Sequence, residues 1–131
     1  MTTAKTLADG CFDPLHIGHV EYLRAAAALG YPVTVRVAPD ADVEKKGRHP
    51  FQSELERGAF LKLLRCVEDV CYFDTLEEAI RAIRPRYLVK GMCWHNKLSP
   101  EIQVACEAMG TSIVYTLTPS RSSTERLSGV V

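Results

Sequence analysis

The chain has little that would send it to a membrane, a nucleic acid or an oxidising compartment. No window approaches the roughly 18 consecutive apolar residues that a membrane span needs, and the first long apolar stretch, 20–29, is broken by Glu21 and Arg24. Met1 to Thr6 has no basic region running into an apolar one, so no export signal is read there. Neither sign of charge is in surplus, with 16 basic residues against 16 acidic ones. That argues against a general attraction for nucleic acid or lipid. The five cysteines, Cys11, Cys66, Cys71, Cys93 and Cys106, are odd in number and form no C-x-x-C pair. A disulfide framework and a structural zinc site are therefore not expected, and reduced thiols in a cytoplasmic protein are. Repeats, low-complexity tracts and linkers are lacking too. Residues 1–131 are read as one domain, enough for one real core and too few for two.

What is present is an alternation of short strands and helices. Thr6–Ala8 reads as a first strand running into Gly10. His19–Leu29 has apolar residues at helical spacing, with Gly30 as its C-terminal cap. Pro32–Ala38 alternates valine with polar residues and reads as a strand. Asp40–Pro50 is polar and basic and reads as an exposed loop. Gln52–Cys66 reads as a helix by period, with Leu55, Ala59, Leu63 and Cys66 on one face and Phe60 and Leu64 beside it. Asp69–Phe73 and Tyr87–Lys90 are strands, and Leu76–Ile83 is a helix capped by Thr75. Pro100–Met109 is a helix between a Ser99 cap and Gly110. Ser112–Leu117 is the last strand, and Ser122–Leu127 starts a closing helical turn. Such alternation predicts an α/β fold with a five-stranded parallel sheet covered on both faces. Ligands then bind beyond the carboxyl ends of the strands.

The first strand-to-helix junction reads Gly10–Cys11–Phe12–Asp13–Pro14–Leu15–His16–Ile17–Gly18–His19. Histidines three apart share one face of a helical first turn. Gly18 between them lets a ligand approach the backbone. A helix start offers unpaired N–H groups and partial positive charge. Together these suit an anion, with phosphate the natural candidate. Metal ligation by the two histidines would need a third ligand, and no Cys, His or carboxylate stands at a convincing spacing.

The decapeptide matches G-x-F-D-x-x-H-x-G-H at all six fixed positions. In this it resembles the cytidylyltransferase-like nucleotidyltransferases. That superfamily includes glycerol-phosphate and choline-phosphate cytidylyltransferases and the sugar-phosphate adenylyltransferases of heptose synthesis. Further along, Lys46 resembles the family's lysine-bearing loop, and Arg57 and Arg65 fall where basic residues recur on the next helix. Val89–Lys90–Gly91–Met92–Cys93–Trp94 resembles V-K-G-x-D-[WY], with Cys93 in the place of the acidic residue. Ser122–Ser123–Thr124 with Arg126 resembles the second signature.

The resemblance implies a Rossmann-like three-layer domain that transfers a nucleotidyl group from ATP or CTP to a phosphorylated small molecule, with Mg²⁺ and release of pyrophosphate. His16, His19 and Lys46 would be catalytic. Gly10, Cys11, Phe12, Gly18, Lys90, Gly91, Ser122, Ser123 and Thr124 would bind the nucleotide. Arg57, Arg65 and Trp94 would bind the second substrate. No metal-ligating residue, no nucleic acid and no membrane are implied, and a homodimer is. Cys11, with Lys90–Gly91, leans toward the sugar-phosphate adenylyltransferases. His-Ile-Gly-His also opens class I aminoacyl-tRNA synthetases, but the chain is far shorter, lacks K-M-S-K-S and has no basic surplus for tRNA. A nucleotide-binding module without turnover is the competing reading, left open by Cys93. A thiol redox role is weak without a C-x-x-C.

Overall fold

The computed structural model describes residues 4–117. Five strands, β1 (Thr6–Gly10), β2 (Val33–Val37), β3 (Asp69–Cys71), β4 (Tyr87–Gly91) and β5 (Ser112–Thr116), form one sheet in the order β3-β2-β1-β4-β5. Every pairing is parallel. Helices α1 (Ile17–Ala27), α2 (Asp40–Glu44), α3 (Glu54–Lys62), α4 (Leu76–Ile83) and α5 (Pro100–Met109) make the crossovers, so the expected Rossmann-like three-layer α/β architecture is the observed one. No helix among the described residues is long and apolar enough to cross a membrane.

Strand alternation sorts the core into two layers. Ala8, Val33, Val35, Val37 and Val89 pack with Tyr22, Leu23, Ala26 and Leu61, on the side of α1 and α3. Leu7 and Leu88 pack with Leu76, Ala79, Ile80, Ala105 and Cys106, on the side of α4 and α5. The chain leaves β1 for β2 on one side and returns from β3 to β4 on the other. The order therefore switches between β1 and β4, and that is where a crevice opens in such sheets. Tyr22 closes the floor of this point. Its hydroxyl accepts the Asp9 N–H at 3.0 Å and donates to the Val89 carbonyl, tying α1 to both central strands. Burial pushes its pKa above 10.0, which keeps it a donor.

Local signals set α4 and α5 as expected. Thr75 accepts the Glu78 N–H at 3.1 Å, Ser99 accepts that of Ile102 at 3.4 Å, and Gly110 takes the left-handed φ of 70° that ends α5. Two expectations are corrected. Asp40–Pro50 is not all loop: its first turn is α2, which buries Val43 completely. The 52–66 helix is shorter, Glu54–Lys62 behind a Ser53 cap, and it turns the other way. Arg57, Gly58 and Leu61 face the sheet, while Leu55, Phe60 and Leu63 are 68%, 47% and 80% exposed. The reason is Arg57, whose interior hydrogen bonds, described below, outweigh the apolar period. The helical turn expected at Ser122–Leu127 lies outside the described residues.

Candidate functional site

The first junction folds into a compact stack. Phe12 adopts a left-handed φ of 53°, uncommon for a bulky residue, which turns its ring back over Gly10. A Cβ on Gly10 would lie 3.0 Å from Cζ of Phe12, so any larger residue would press on that ring. The Phe12 ring, 2% exposed, meets His19 edge-on at 4.9 Å between centroids. His19 in turn stacks on His16 at 3.6 Å, with 22° between the planes. His16 is the N-cap of α1 and His19 is its third residue, which brings both imidazoles to the helix start. The His16 N–H donates to Nδ1 of His19 at 3.2 Å. An accepting Nδ1 leaves the neutral ring's proton on Nε2, so His19 offers an N–H donor by that atom. Gly18 is buried in the same turn.

Asp13 fastens this junction to the loop that carries Lys46. It is fully buried and accepts the N–H groups of Phe51 and Gln52, both at 2.7 Å. Arg48 gives it an ion pair at 2.7 Å and bonds its carbonyl at 2.5 Å. Burial alone would push the Asp13 carboxyl up. The N–H donors and the Arg48 guanidinium outweigh that and hold it below 3.8. Lys46 itself is exposed, on the turn after α2.

Near the carboxyl ends of the strands, on the α4–α5 face, lies a second cluster. Asp9 of β1 pairs with Arg36 of β2 and Lys90 of β4, each at 3.0 Å. Arg36 also reaches the carbonyls of Phe73 at 3.0 Å and Asp74 at 2.6 Å. Burial raises the Asp9 pKa, but Lys90 and Arg36 lower it further, so the group stays ionised. The Lys90 ammonium sits 4.3 Å from the centre of the half-exposed Trp94 ring, a cation–π contact. Sequence reasoning missed Asp9 and Arg36. Their signal was a single charge in each of three apolar strands, Asp in β1, Arg in β2 and Lys in β4.

The structure thus brings Gly10, Phe12, His16, Gly18 and His19 together, with Cys11 half-buried in the same loop, and sets Lys90, Gly91 and Trp94 at the end of β4. Arg57 is a correction. It is 1% exposed, and its guanidinium bonds the carbonyls of Cys11 and Ala38 at 2.7 Å, that of Gln52 at 3.1 Å and the Asp40 carboxylate at 2.6 Å. It clamps the loops from beneath and has no surface for a substrate. Arg65 is exposed past the end of α3, in a shallow cleft with Val20 and Arg24 on the flank of α1. Ser122, Ser123 and Thr124 lie outside the described residues.

The helix start with two stacked imidazoles lies at the switch of a 3-2-1-4-5 sheet, within a stretch of sequence that matches a family model. The cytidylyltransferase-like model covers residues 7–128. The chain belongs to the cytidylyltransferase-like family. Among its relatives is the D-beta-D-heptose 1-phosphate adenylyltransferase of Bordetella bronchiseptica, 36% identical over 91% of this chain and 76% of that protein. The bifunctional protein HldE of Streptomyces coelicolor is 38% identical over 92% of this chain and 27% of its own length. That of Trichlorobacter lovleyi is 46% identical over 63% and 18%. The chain thus spans less than a third of these bifunctional relatives. A solved lipopolysaccharide core biosynthesis protein from Thermoplasma volcanium superposes with a TM-score of 0.77 at 25% identity, over 91% of this chain and all of that one. The cytidylyltransferase-like fold of this chain is therefore a known one, with the histidine junction inside the matched span.

Proposed function

We propose that this chain transfers an adenylyl group from ATP to a sugar 1-phosphate, releasing pyrophosphate. The observation that carries the reading is the His16–His19 stack at the start of α1, fixed by Phe12 and by the His16 N–H. The names of the relatives favour ATP over CTP and a heptose 1-phosphate over an alcohol phosphate.

In this reaction an oxygen of the sugar phosphate forms a bond to the α-phosphorus while the bond to the β-phosphate oxygen breaks. Two phosphates meet, so catalysis is a matter of positioning and of cationic or N–H groups placed where charge grows. His19 Nε2–H, His16 and the α1 N–H groups would hold the triphosphate. Lys46, on the loop that Asp13 ties to the junction, would balance charge on the reacting phosphates. Lys90 and Gly91 would line the nucleotide side, with Trp94 at the rim. The second-signature hydroxyls of Ser122 to Thr124 would complete the grip.

Mg²⁺ takes oxygen ligands, and the one carboxylate of the first junction, Asp13, is buried and already holds Arg48 and the N–H groups of Phe51 and Gln52. The ion would ride on triphosphate oxygens and water and supply neutralisation of the leaving pyrophosphate. A homodimer in the cytoplasm completes the reading.

The test is pyrophosphate release with ATP and with CTP against heptose 1-phosphate, other sugar 1-phosphates and glycerol 3-phosphate. ATP with a sugar 1-phosphate should be the productive pair. His16→Ala and His19→Ala should each lower turnover by about 10²-fold or more and leave the melting temperature within a few degrees. If ATP raises the melting temperature but no pair turns over, the chain is a binding module instead.

A further inference from the structure

We propose that Asp9 is a positioning residue for the acceptor: through the Lys90 ammonium it holds the Trp94 ring as the platform on which the sugar of the sugar 1-phosphate packs. The inference deepens the proposed function and rests on its choice of acceptor. Asp9, Arg36 and Lys90 alternate along their strands with Ala8, Val35 and Val89, which pack on the α1 side, so all three point to the opposite face of the sheet. The Lys90 ammonium therefore lies across the sheet from the helix that carries the imidazole stack. What it meets there is Asp9 at 3.0 Å and the Trp94 ring at 4.3 Å.

The two cations that share Asp9 do different things. Arg36 also bonds the carbonyls of Phe73 and Asp74, which ties β2 to the turn between β3 and α4. Lys90 is just as buried, yet its one hydrogen-bond acceptor among the described residues is Asp9. A buried ion pair is often no more stable than apolar residues of the same volume, so stability alone gives β4 no reason to bury a lysine here. Its placement under Trp94 does. Trp94 lies on the 3₁₀ turn Met92–Trp94 that leaves β4, and it is 46% exposed. The backbone bonds of this turn are local, from the His95 N–H to the Met92 carbonyl at 3.0 Å and from the Lys97 N–H to the Trp94 carbonyl at 2.9 Å. The Lys90 contact is the one ring or cation contact of the indole among the described residues. A cation fixed against one face of an indole orients the ring and leaves the other face to a ligand. A half-exposed ring at the carboxyl end of a central strand suits the C–H face of a sugar, whose hydroxyls turn to polar groups around it.

Trp94 is the only tryptophan of the chain, so its fluorescence reads the platform independently of turnover. Lys90→Met is the leading variant, because Asp9 keeps Arg36 and the fold should persist, which circular dichroism checks. Its Trp94 emission should shift and its anisotropy fall. Its KM for the best sugar 1-phosphate of the panel should rise about threefold to tenfold, with kcat and the KM for ATP within about twofold of wild type. Asp9→Asn should shift the acceptor KM in the same direction, and in the Lys90→Met background it should add nothing. Arg36→Lys gives up the Phe73 and Asp74 carbonyls, so it should lower the melting temperature and leave Trp94 emission and the acceptor KM unchanged. An unchanged emission or acceptor KM in Lys90→Met overturns the proposal. So does a rise in the KM for ATP in place of that for the acceptor, which would make Lys90 a nucleotide ligand. Additive effects of Asp9→Asn and Lys90→Met, or an acceptor KM raised as far by Arg36→Lys, overturn it as well, since the cluster would then act through stability alone. A wild type that turns over no sugar 1-phosphate overturns both this inference and the proposed function. A wild type that turns over while Lys90→Met is neutral overturns this inference and leaves the activity standing.

Discussion

Removing the Asp13 carboxylate should do more damage than removing either histidine, although Asp13 touches no substrate. In Asp13→Ala the N–H groups of Phe51 and Gln52 lose acceptors at 2.7 Å, and Arg48 loses its ion pair. Each orphaned, part-buried donor costs about 1–3 kcal/mol. Arg48 is partly exposed, so water recovers some of its loss. The sum is about 3–5 kcal/mol, a large part of the roughly 5–15 kcal/mol that holds a domain together, and a melting point lower by about 10–20 °C. The pH dependence gives a sharper check. The Asp13 carboxyl is held below 3.8, so its contribution is fully present above the unfolded value and is lost as pH falls through the folded one. The stability difference between wild type and Asp13→Ala should be constant from neutral pH to about pH 5 and shrink in stronger acid. Urea unfolding followed by circular dichroism at several pH values measures both. A loss under about 1 kcal/mol, or a difference that does not shrink in acid, would refute the assignment of Asp13 as the fastener of the two loops.

Asp9→Asn should leave Arg36 and Lys90 facing each other without their shared carboxylate. We expect about 3–5 kcal/mol of destabilisation at neutral pH, measured by the same unfolding series. Because the Asp9 pKa is lowered in the fold, the penalty should also fade as pH drops below the carboxylate range. Gly10→Ala should cost about 1–3 kcal/mol, since the new methyl would press on a buried Phe12 ring, which must shift to admit it. Its ATP affinity, read by calorimetry, should fall as well, because Phe12 supports His19.

Where local chemistry decides, sequence reasoning reached the residue. The bounds of α4 and α5 coincide with those expected, because a hydroxyl cap, and for α5 a left-handed glycine, set them within one turn. The histidine junction was legible for the same reason: strand, glycine and helix start lie within ten consecutive residues. The 40–50 segment was not, because α2 is held by burying the single Val43, which composition cannot announce. The face of α3 was misread because period alone cannot weigh six apolar side chains against one arginine. Arg57 finds three carbonyls and a carboxylate that come from three separate segments of the chain, and once they converge it cannot face water.

The sequence by itself determined the alternation of strands and helices, the parallel sheet and the two imidazoles at the first helix start, since each follows from neighbours in the chain. Only the tertiary structure decided which charges are buried together. Asp9, Arg36 and Lys90 come from three strands up to 81 residues apart and meet because parallel pairing sets their register. It also decided that Arg57 is a clamp and that Leu55 and Leu63 are surface. A side chain's partners depend on which distant backbone groups arrive beside it, and only the folded chain specifies that.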